Sequence, residues 1–356
     1  MDRTGAPITL WRRGRRALLY RSSGQKAVWV ESGMSGAFQN PLPGVPHVES
    51  PFFDELFPAA ATDPETLRIA ESLHRDGFAI LDFPDPDILA RADRIVAALT
   101  PVLAPGAPPR KGVPSTGERR IQDAFSFNED VRAIAASPAM IALLTTLYGR
   151  NAFPFQTLNF ATGSQQPHHS DCVHFSSLPE RFMCGVWVAL EDVGPDQGPL
   201  VYYPGSHRWP IYGNDQIGAC ANAPGGGSQI AFHHVWDAMI AKKGIAPVRF
   251  HPRKGQALIW AANLLHGGDL QRDPARTRWS QVTHYYFEDC AYYTPMHSDP
   301  FFGKIAFRKI RNAATGERVR NRYVGHAIPD AFIRATRPKS WLRYVAEHVR
   351  RLSGRS

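Results

Sequence analysis

The sequence predicts a mainly β chain with flanking helices (α+β), whose strands close into a sandwich or barrel of the jelly-roll kind. Three observations predict it. From about residue 153 to 290, short apolar runs follow one another: PFQTLNF, MCGVWVALEDV, LVYYPGSH, ALIWAANLLH and SQVTHYYF. Within one run Val186, Val188 and Leu190 alternate with Trp187, Ala189 and Glu191, a period of two that belongs to strands. The runs are separated by turn formers, Gly194-Pro195-Asp196, Gly198-Pro199 and Pro204-Gly205-Ser206.

The elements before this region read differently. Residues 1–50 mix Gly, Pro and Ser with arginines and read as a basic, loosely structured peripheral arm. Over 64–81 a helix runs into a strand: Leu67, Ile69, Ala70, Leu73 and His74 follow helical spacing, and Asp76-Gly77 stops it before Phe78-Ala79-Ile80-Leu81. Residues 87–99 form a second amphipathic helix with Asp87 as its cap. Residues 103–118 are a Pro/Gly-rich loop, and 128–148 are helical again. At the far end 338–353 places Trp341, Leu342, Val345, Val349 and Leu352 on one helical side and arginines on the other. Such a stripe packs on its own domain or a dimer mate more often than on a membrane surface. Three segments follow: the arm 1–50, a main domain 51–303 with its β core at about 153–290, and a basic, partly helical extension 304–356. Neither an internal repeat nor a low-complexity tract is present.

Composition narrows the classes. With 356 residues, 43% hydrophobic and 21% charged, the chain can bury a large core. The formal charge of +9 is concentrated at the ends: residues 1–30 carry +6 and 304–356 carry +11, which leaves −8 on 31–303. Basic ends can touch anionic lipid, nucleic acid or an acidic partner, although a charge run is usually a solvated face. No nucleic-acid motif accompanies them. Cys172, Cys184, Cys220 and Cys290 form no CxxC pair and no disulfide framework, which fits a reducing, cytoplasmic setting. Arg12, Arg13, Arg15 and Arg16 interrupt any secretory apolar stretch, and no uninterrupted apolar run is long enough to span a bilayer.

The chemistry is carried by His168-His169-Ser170-Asp171. In a strand, residues i and i+2 share a face, so His169 and Asp171 can aim an imidazole and a carboxylate at one point. A histidine from a distant strand would complete a facial 2-His-1-carboxylate site, which suits iron(II) and leaves positions open for oxidant and substrate. Taken alone an HxD is weak, and a second one, His297-Ser298-Asp299, sits between prolines and reads as a loop accident. Support lies downstream, where the apolar run of 254–268 ends in His266 before a Gly pair. Twelve residues later Arg278 and Ser280 share a face. A guanidinium fork with a hydroxyl is a good receptor for a terminal carboxylate. Arg276, two residues earlier, is a rival on the same face.

The string CGVWVALEDVGPDQGPLVYYPGSH, with His169-Ser170-Asp171 before it and His266 after it, resembles the phytanoyl-CoA dioxygenase (PhyH-like) family of iron(II)/2-oxoglutarate-dependent oxygenases, as does RDGFAILDFPD at 75–85. The resemblance covers roughly 70–290. It implies a double-stranded β-helix, the cupin-like jelly roll, with iron(II) as metal, 2-oxoglutarate as co-substrate and O2 as oxidant. On it His169, Asp171 and His266 are the metal ligands. Arg278 pairs with the far carboxylate of 2-oxoglutarate, Ser280 assists, and Gln156 and Asn159 line the co-substrate or substrate pocket. Relatives that halogenate carry a small residue in place of the carboxylate ligand, so Asp171 implies hydroxylation or a related oxidation.

Gly198, Gly205 and His207 read as turn residues. His168, His174, His233, His234 and His284 read as ordinary polar or packed histidines, with His174 and Trp187 possible pocket walls. The substrate expected is a small organic or lipid-like molecule. The other classes are a jelly-roll metalloprotein that uses the triad without 2-oxoglutarate, which an Arg278 facing away from the metal would favour, and a non-catalytic binding protein, which a missing ligand would favour.

Overall fold

The computed structural model describes residues 8–12, 15–19, 38–104, 120–221 and 228–337. The helix expected at 338–353 and nearly all of the loop expected at 103–118 lie outside them. The chain divides into two compact units, Met1–Pro41 and Leu42–Ser356. In the first, β1 (Ile8–Arg12) and β2 (Arg15–Leu19) pair as an antiparallel hairpin, so the arm is not wholly irregular.

In the second unit a short α1 (Phe53–Leu56) precedes α2 (Pro64–Asp76), whose start and stop both follow from its sequence. The Asp63 carboxylate accepts from Thr66 N, Pro64 occupies the first turn, and Gly77 ends the helix at φ 84°. A Cβ at Gly77 would fall 2.4 Å from the His207 ring, so the position also requires the missing side chain. The chain then enters β3 (Phe78–Asp82) and α3 (Ile88–Leu99). Asp87 precedes α3 but makes no side-chain cap, while its own N–H donates to Asp85 Oδ1. After β4 (Arg120–Gln122), the helical stretch is two helices, α4 (Glu129–Ala135) capped by Asn128 and α5 (Pro138–Tyr148) capped by Ser137. This run is long and apolar enough to cross a membrane by composition, but Val131, Ile134, Met140, Leu144 and Leu147 belong to the core.

The β region supplies β5 (Ala152–Phe160), β6 (Ser176–Leu178), β7 (Met183–Ala189) and β8 (Leu200–Tyr202). A helix that the strand reading did not foresee, α6 (Ile230–Lys243), comes next. Its apolar residues are spread around the helix, and only Phe232 and Trp236 are buried, so the sequence shows no helical stripe. Then come β9 (Val248–Phe250), β10 (Gln256–Ala261), β11 (His266–Gly268), β12 (Ser280–Phe287) and β13 (Ala291–Tyr293). The large sheet runs β3-β10-β7-β12-β5-β4 and the small one β11-β8-β9, with every pairing antiparallel. A mainly antiparallel jelly roll flanked by helices is the observed fold.

The two faces of the large sheet have different neighbours. Phe160, Trp187, Leu258, Trp260 and Val282 pack with Leu200, Tyr202 and Phe250 of the small sheet. Val186, Val188, Ile259 and Tyr285 pack with residues of α2 to α5. The site opens from the first of these layers. Beyond β13 the chain adds β14 (Ile310–Arg311), β15 (Arg318–Val319), β16 (Arg322–Tyr323), β17 (His326–Ala327) and α7 (Asp330–Thr336). This described part of the basic extension clusters with the same unit and bonds to it: Ala313 N donates to Pro154 O, and Arg308 N to Tyr292 O.

Candidate active site

His169 and His266 are brought together by backbone pairing, each N–H donating to the other's carbonyl at 2.9 and 3.0 Å. Asp171 follows on a tight turn, Asp171–Val173, and not on a continuous strand. The shared face foreseen for His169 and Asp171 survives because Ser170, between them, is extended at φ −102° and ψ 131°. Ser170 Oγ accepts from Cys172 N and donates to Asn263 Oδ1, fixing the corner.

The ligating atoms of His169, Asp171 and His266 all lie within 4.8 Å of one another. His169 Nε2 is 3.8 Å from Asp171 Oδ1, and His266 Nε2 is 3.8 Å from Oδ2. These separations are too long for hydrogen bonds. Each imidazole donates its Nδ1–H to a backbone carbonyl, His169 to Pro167 and His266 to Leu264, both at 3.0 Å. A carbonyl can only accept, so the tautomer is fixed and both Nε2 lone pairs turn toward the carboxylate. Burial, reinforced by His266, holds the His169 pKa well below the ordinary imidazole value. Burial alone would raise Asp171, but the surrounding imidazoles and the Trp260 N–H, which donates to Oδ2 at 2.8 Å, hold it low. Two imidazole Nε2 atoms and a carboxylate thus converge without satisfying one another, a donor set that fits a divalent transition metal.

A cavity of about 260 Å³ opens from the triad. Arg278 lines it, only 2% exposed, and its Nε and Nη1 have no hydrogen-bond partner among the described residues. Burial draws its pKa down to about 10, with Glu191 opposing, so it stays charged near neutrality. Its guanidinium lies 5.6 Å from the Trp187 ring, another wall of the cavity. Ser280 Oγ is buried without a partner as well. Arg276, the rival on the same face, is exposed and does not line the cavity. Gln156 lines the cavity.

Asn159 does not. It stands at an odd offset from Gln156, and its amide donates to Gln281 Oε1 at 3.3 Å, while Gln281 donates to Val131 O on α4. The period-two rule that places Gln156 inward turns Asn159 toward the helices.

His284, read above as an ordinary histidine, lines the cavity with its Nε2 3.8 Å from Asp171 Oδ2 and its Nδ1 donating to Gln156 Oε1 at 3.0 Å. Burial pushes its pKa down to about 4. The signal was present, since 278, 280, 282 and 284 share one face. His174 lines the cavity, the alternative left open for it above, and its Nε2–H donates to Gln229 Oε1 at 2.6 Å, just before α6. The second HxD lies in a loop, with Asp299 accepting from Ala221 N.

The sequence profile of the phytanoyl-CoA dioxygenase (PhyH) family matches residues 83–275, which is more than half of the chain. The chain belongs to the PhyH family. The bovine peroxisomal phytanoyl-CoA dioxygenase is 25% identical over 155 residues, 42% of this chain and 43% of the bovine one. The rat protein is 25% identical over 180 residues, 49% and 50% of the two chains. The match therefore spans about half the length of these relatives. Among solved structures, the epimerase SnoN in complex with Fe3+, alpha ketoglutarate and nogalamycin RO is 23% identical, with a TM-score of 0.48 over 68% of this chain and 91% of its own. EctD from S. alaskensis with 2-oxoglutarate and 5-hydroxyectoine is 18% identical, with a TM-score of 0.48 over 63% and 77%.

Proposed function

We propose that this PhyH-family chain is an iron(II)- and 2-oxoglutarate-dependent dioxygenase that hydroxylates, or otherwise oxidises, an unactivated C–H bond of a small organic or lipid-like substrate. The observation that carries this reading is Arg278, a buried guanidinium with unpartnered nitrogens in the same cavity as the His169–Asp171–His266 triad. A buried unpaired charge is costly, and a carboxylate ligand reaching it from the metal side removes that cost. A metalloprotein using the triad alone gives Arg278 no such task.

In this reading His169 Nε2, His266 Nε2 and the Asp171 carboxylate hold the metal. Trp260 orients the carboxylate and helps to keep it ionised. Arg278 receives the far carboxylate of 2-oxoglutarate, and Ser280 Oγ adds a donor. Trp187, Leu200 and Val282 wall that end of the cavity and exclude water. When bound, iron(II) with 2-oxoglutarate and O2 supplies the oxidising power, with succinate and CO2 as co-products. Gln156 and His284 face the remaining space and orient substrate there. The four unpaired thiols support a reducing, cytoplasmic setting, and residues 51–303 carry the catalytic domain.

An anaerobic titration of the apo-protein with iron(II) and then 2-oxoglutarate tests this. A visible metal-to-ligand charge-transfer band is expected in the wild type, and none in Asp171→Ala or Arg278→Ala at the same concentrations. A well-folded, iron-loaded wild type without the band overturns the 2-oxoglutarate assignment.

A further inference from the structure

The cavity accounts for Arg278 but leaves one exposed feature unexplained. Residues 304–337 hold nine Lys or Arg against Glu317 and Asp330, a net +7, beside a stretch 31–303 of net −8. Within them β16 and β17 form a hairpin in which every residue from Arg322 to Ala327 is exposed, Tyr323 by 56% and Val324 by 69%. The turn centres on Val324 at φ 48° and Gly325 at φ 77°.

Two consecutive positive φ values make a type I′ turn, whose preferred sequence is Asn-Gly. This chain places Val first. A β-branched side chain is strained at positive φ, and an isopropyl group here gains nothing from packing because it faces solvent. Local stability and solubility would both favour Asn. Meanwhile the base of the hairpin is anchored. Asn321 is buried, its Oδ1 accepts from Tyr292 N at 2.6 Å, and its Nδ2 donates to Arg308 O at 3.1 Å. Arg322 N donates to Cys290 O at 2.9 Å, and Arg322 Nη1 to Gly325 O at 2.8 Å. A held base thus presents an apolar tip, Tyr323-Val324, on a strand entered through the exposed Arg320 and Arg322.

We propose that this hairpin is a membrane-docking finger that inserts Tyr323 and Val324 into the interface of a bilayer rich in anionic phospholipid. The charge complementarity favours that partner, because arginines at the base of an apolar tip can reach headgroup phosphates while the tip enters the acyl boundary. A nucleic acid would use the charge but has no task for an exposed valine.

The test is co-sedimentation of the full chain with vesicles of phosphatidylcholine alone or with about 30 mol% phosphatidylserine, in about 0.1 M salt. The wild type is expected to pellet only with the anionic vesicles. Val324→Asn relieves the turn, so its melting temperature should rise while its bound fraction falls by roughly threefold or more. Arg320→Glu/Arg322→Glu should abolish binding. Wild type that stays in the supernatant with anionic vesicles overturns the proposal. So does Val324→Asn binding as wild type does, which would leave charge alone responsible. Short duplex DNA that displaces the protein fully from vesicles would assign the surface to nucleic acid instead.

Discussion

Strand β12 separates two sets of buried polar groups that are satisfied in different ways. Toward the helices, Gln281 accepts from Asn159 and donates to Val131 O and Thr283 Oγ1, and Tyr285 donates to Ala135 O. Toward the cavity, Arg278 Nε and Nη1 and Ser280 Oγ find no partner among the described residues. The outward amide and phenol complete one another inside the fold, so they serve stability. The inward groups lower the stability of the chain by itself, because a buried unpaired donor retains its desolvation penalty. The separation is not perfect, since Asn159 Oδ1 and Thr157 Oγ1 also lack partners among the described residues. Those are a neutral carbonyl oxygen and a neutral hydroxyl, however, and Arg278 is a full charge.

The sharpest way to break this comparison is Arg278→Met, which should move binding and stability in opposite directions. Removing paired charge-assisted bonds to a carboxylate should weaken 2-oxoglutarate binding by on the order of 10²-fold, about 3 kcal/mol. Replacing a buried, unpaired guanidinium by an apolar chain of similar length should raise the melting temperature of the ligand-free protein by roughly 2–4 °C. Titration calorimetry on manganese-loaded protein reads the first effect and scanning calorimetry of the apo-protein the second. Unchanged affinity with a lower melting temperature would make Arg278 a structural residue.

His207 extends the comparison to a buried polar group outside the cavity. Its Nδ1 has no partner among the described residues, and burial, with Arg208 nearby, pushes its pKa from 6.5 to about 4. The unfolded chain therefore takes up this proton first as pH falls. The contribution of His207 is fully present above pH 6.5 and is lost as pH drops toward 4, by at most about 3 kcal/mol. Denaturant melts of the apo-protein at pH 7.5, 6, 5 and 4.5 should show His207→Gln with the shallower pH dependence. Parallel curves would show that His207 does not titrate in this window.

What the sequence could and could not reveal follows the same physics. His169, Asp171, His266 and Arg278 could be singled out because the ordered set is more specific than the HxD alone, which recurs at 297–299, and because period-two logic needs only local extension, which Ser170 provides even without a strand. The helix α2 was legible through Asp63, Pro64 and Gly77, whose roles are local. The long helix α6 was not, because it buries two aromatics and shows no stripe. His284 was missed although it continues the face of Arg278, since a histidine in an apolar strand is more often packed than functional. Asp87 precedes α3 as expected, but its side chain accepts from no first-turn amide.

Asn159 gives the smallest expected effect and tests the boundary between the two faces. The family resemblance put it with Gln156 in the pocket, but strand alternation turns it outward onto Gln281. Asn159→Ala should cost about 1 kcal/mol of stability, the worth of one neutral buried hydrogen bond. Its affinity for 2-oxoglutarate should stay within about twofold of wild type, because no cavity contact is removed. Gln156→Ala should do the reverse, sparing stability and freeing the His284 ring to turn in the cavity. If Asn159→Ala instead weakens 2-oxoglutarate binding tenfold while melting normally, the outward face reports to the cavity through Gln281 and β12, and the two faces are coupled.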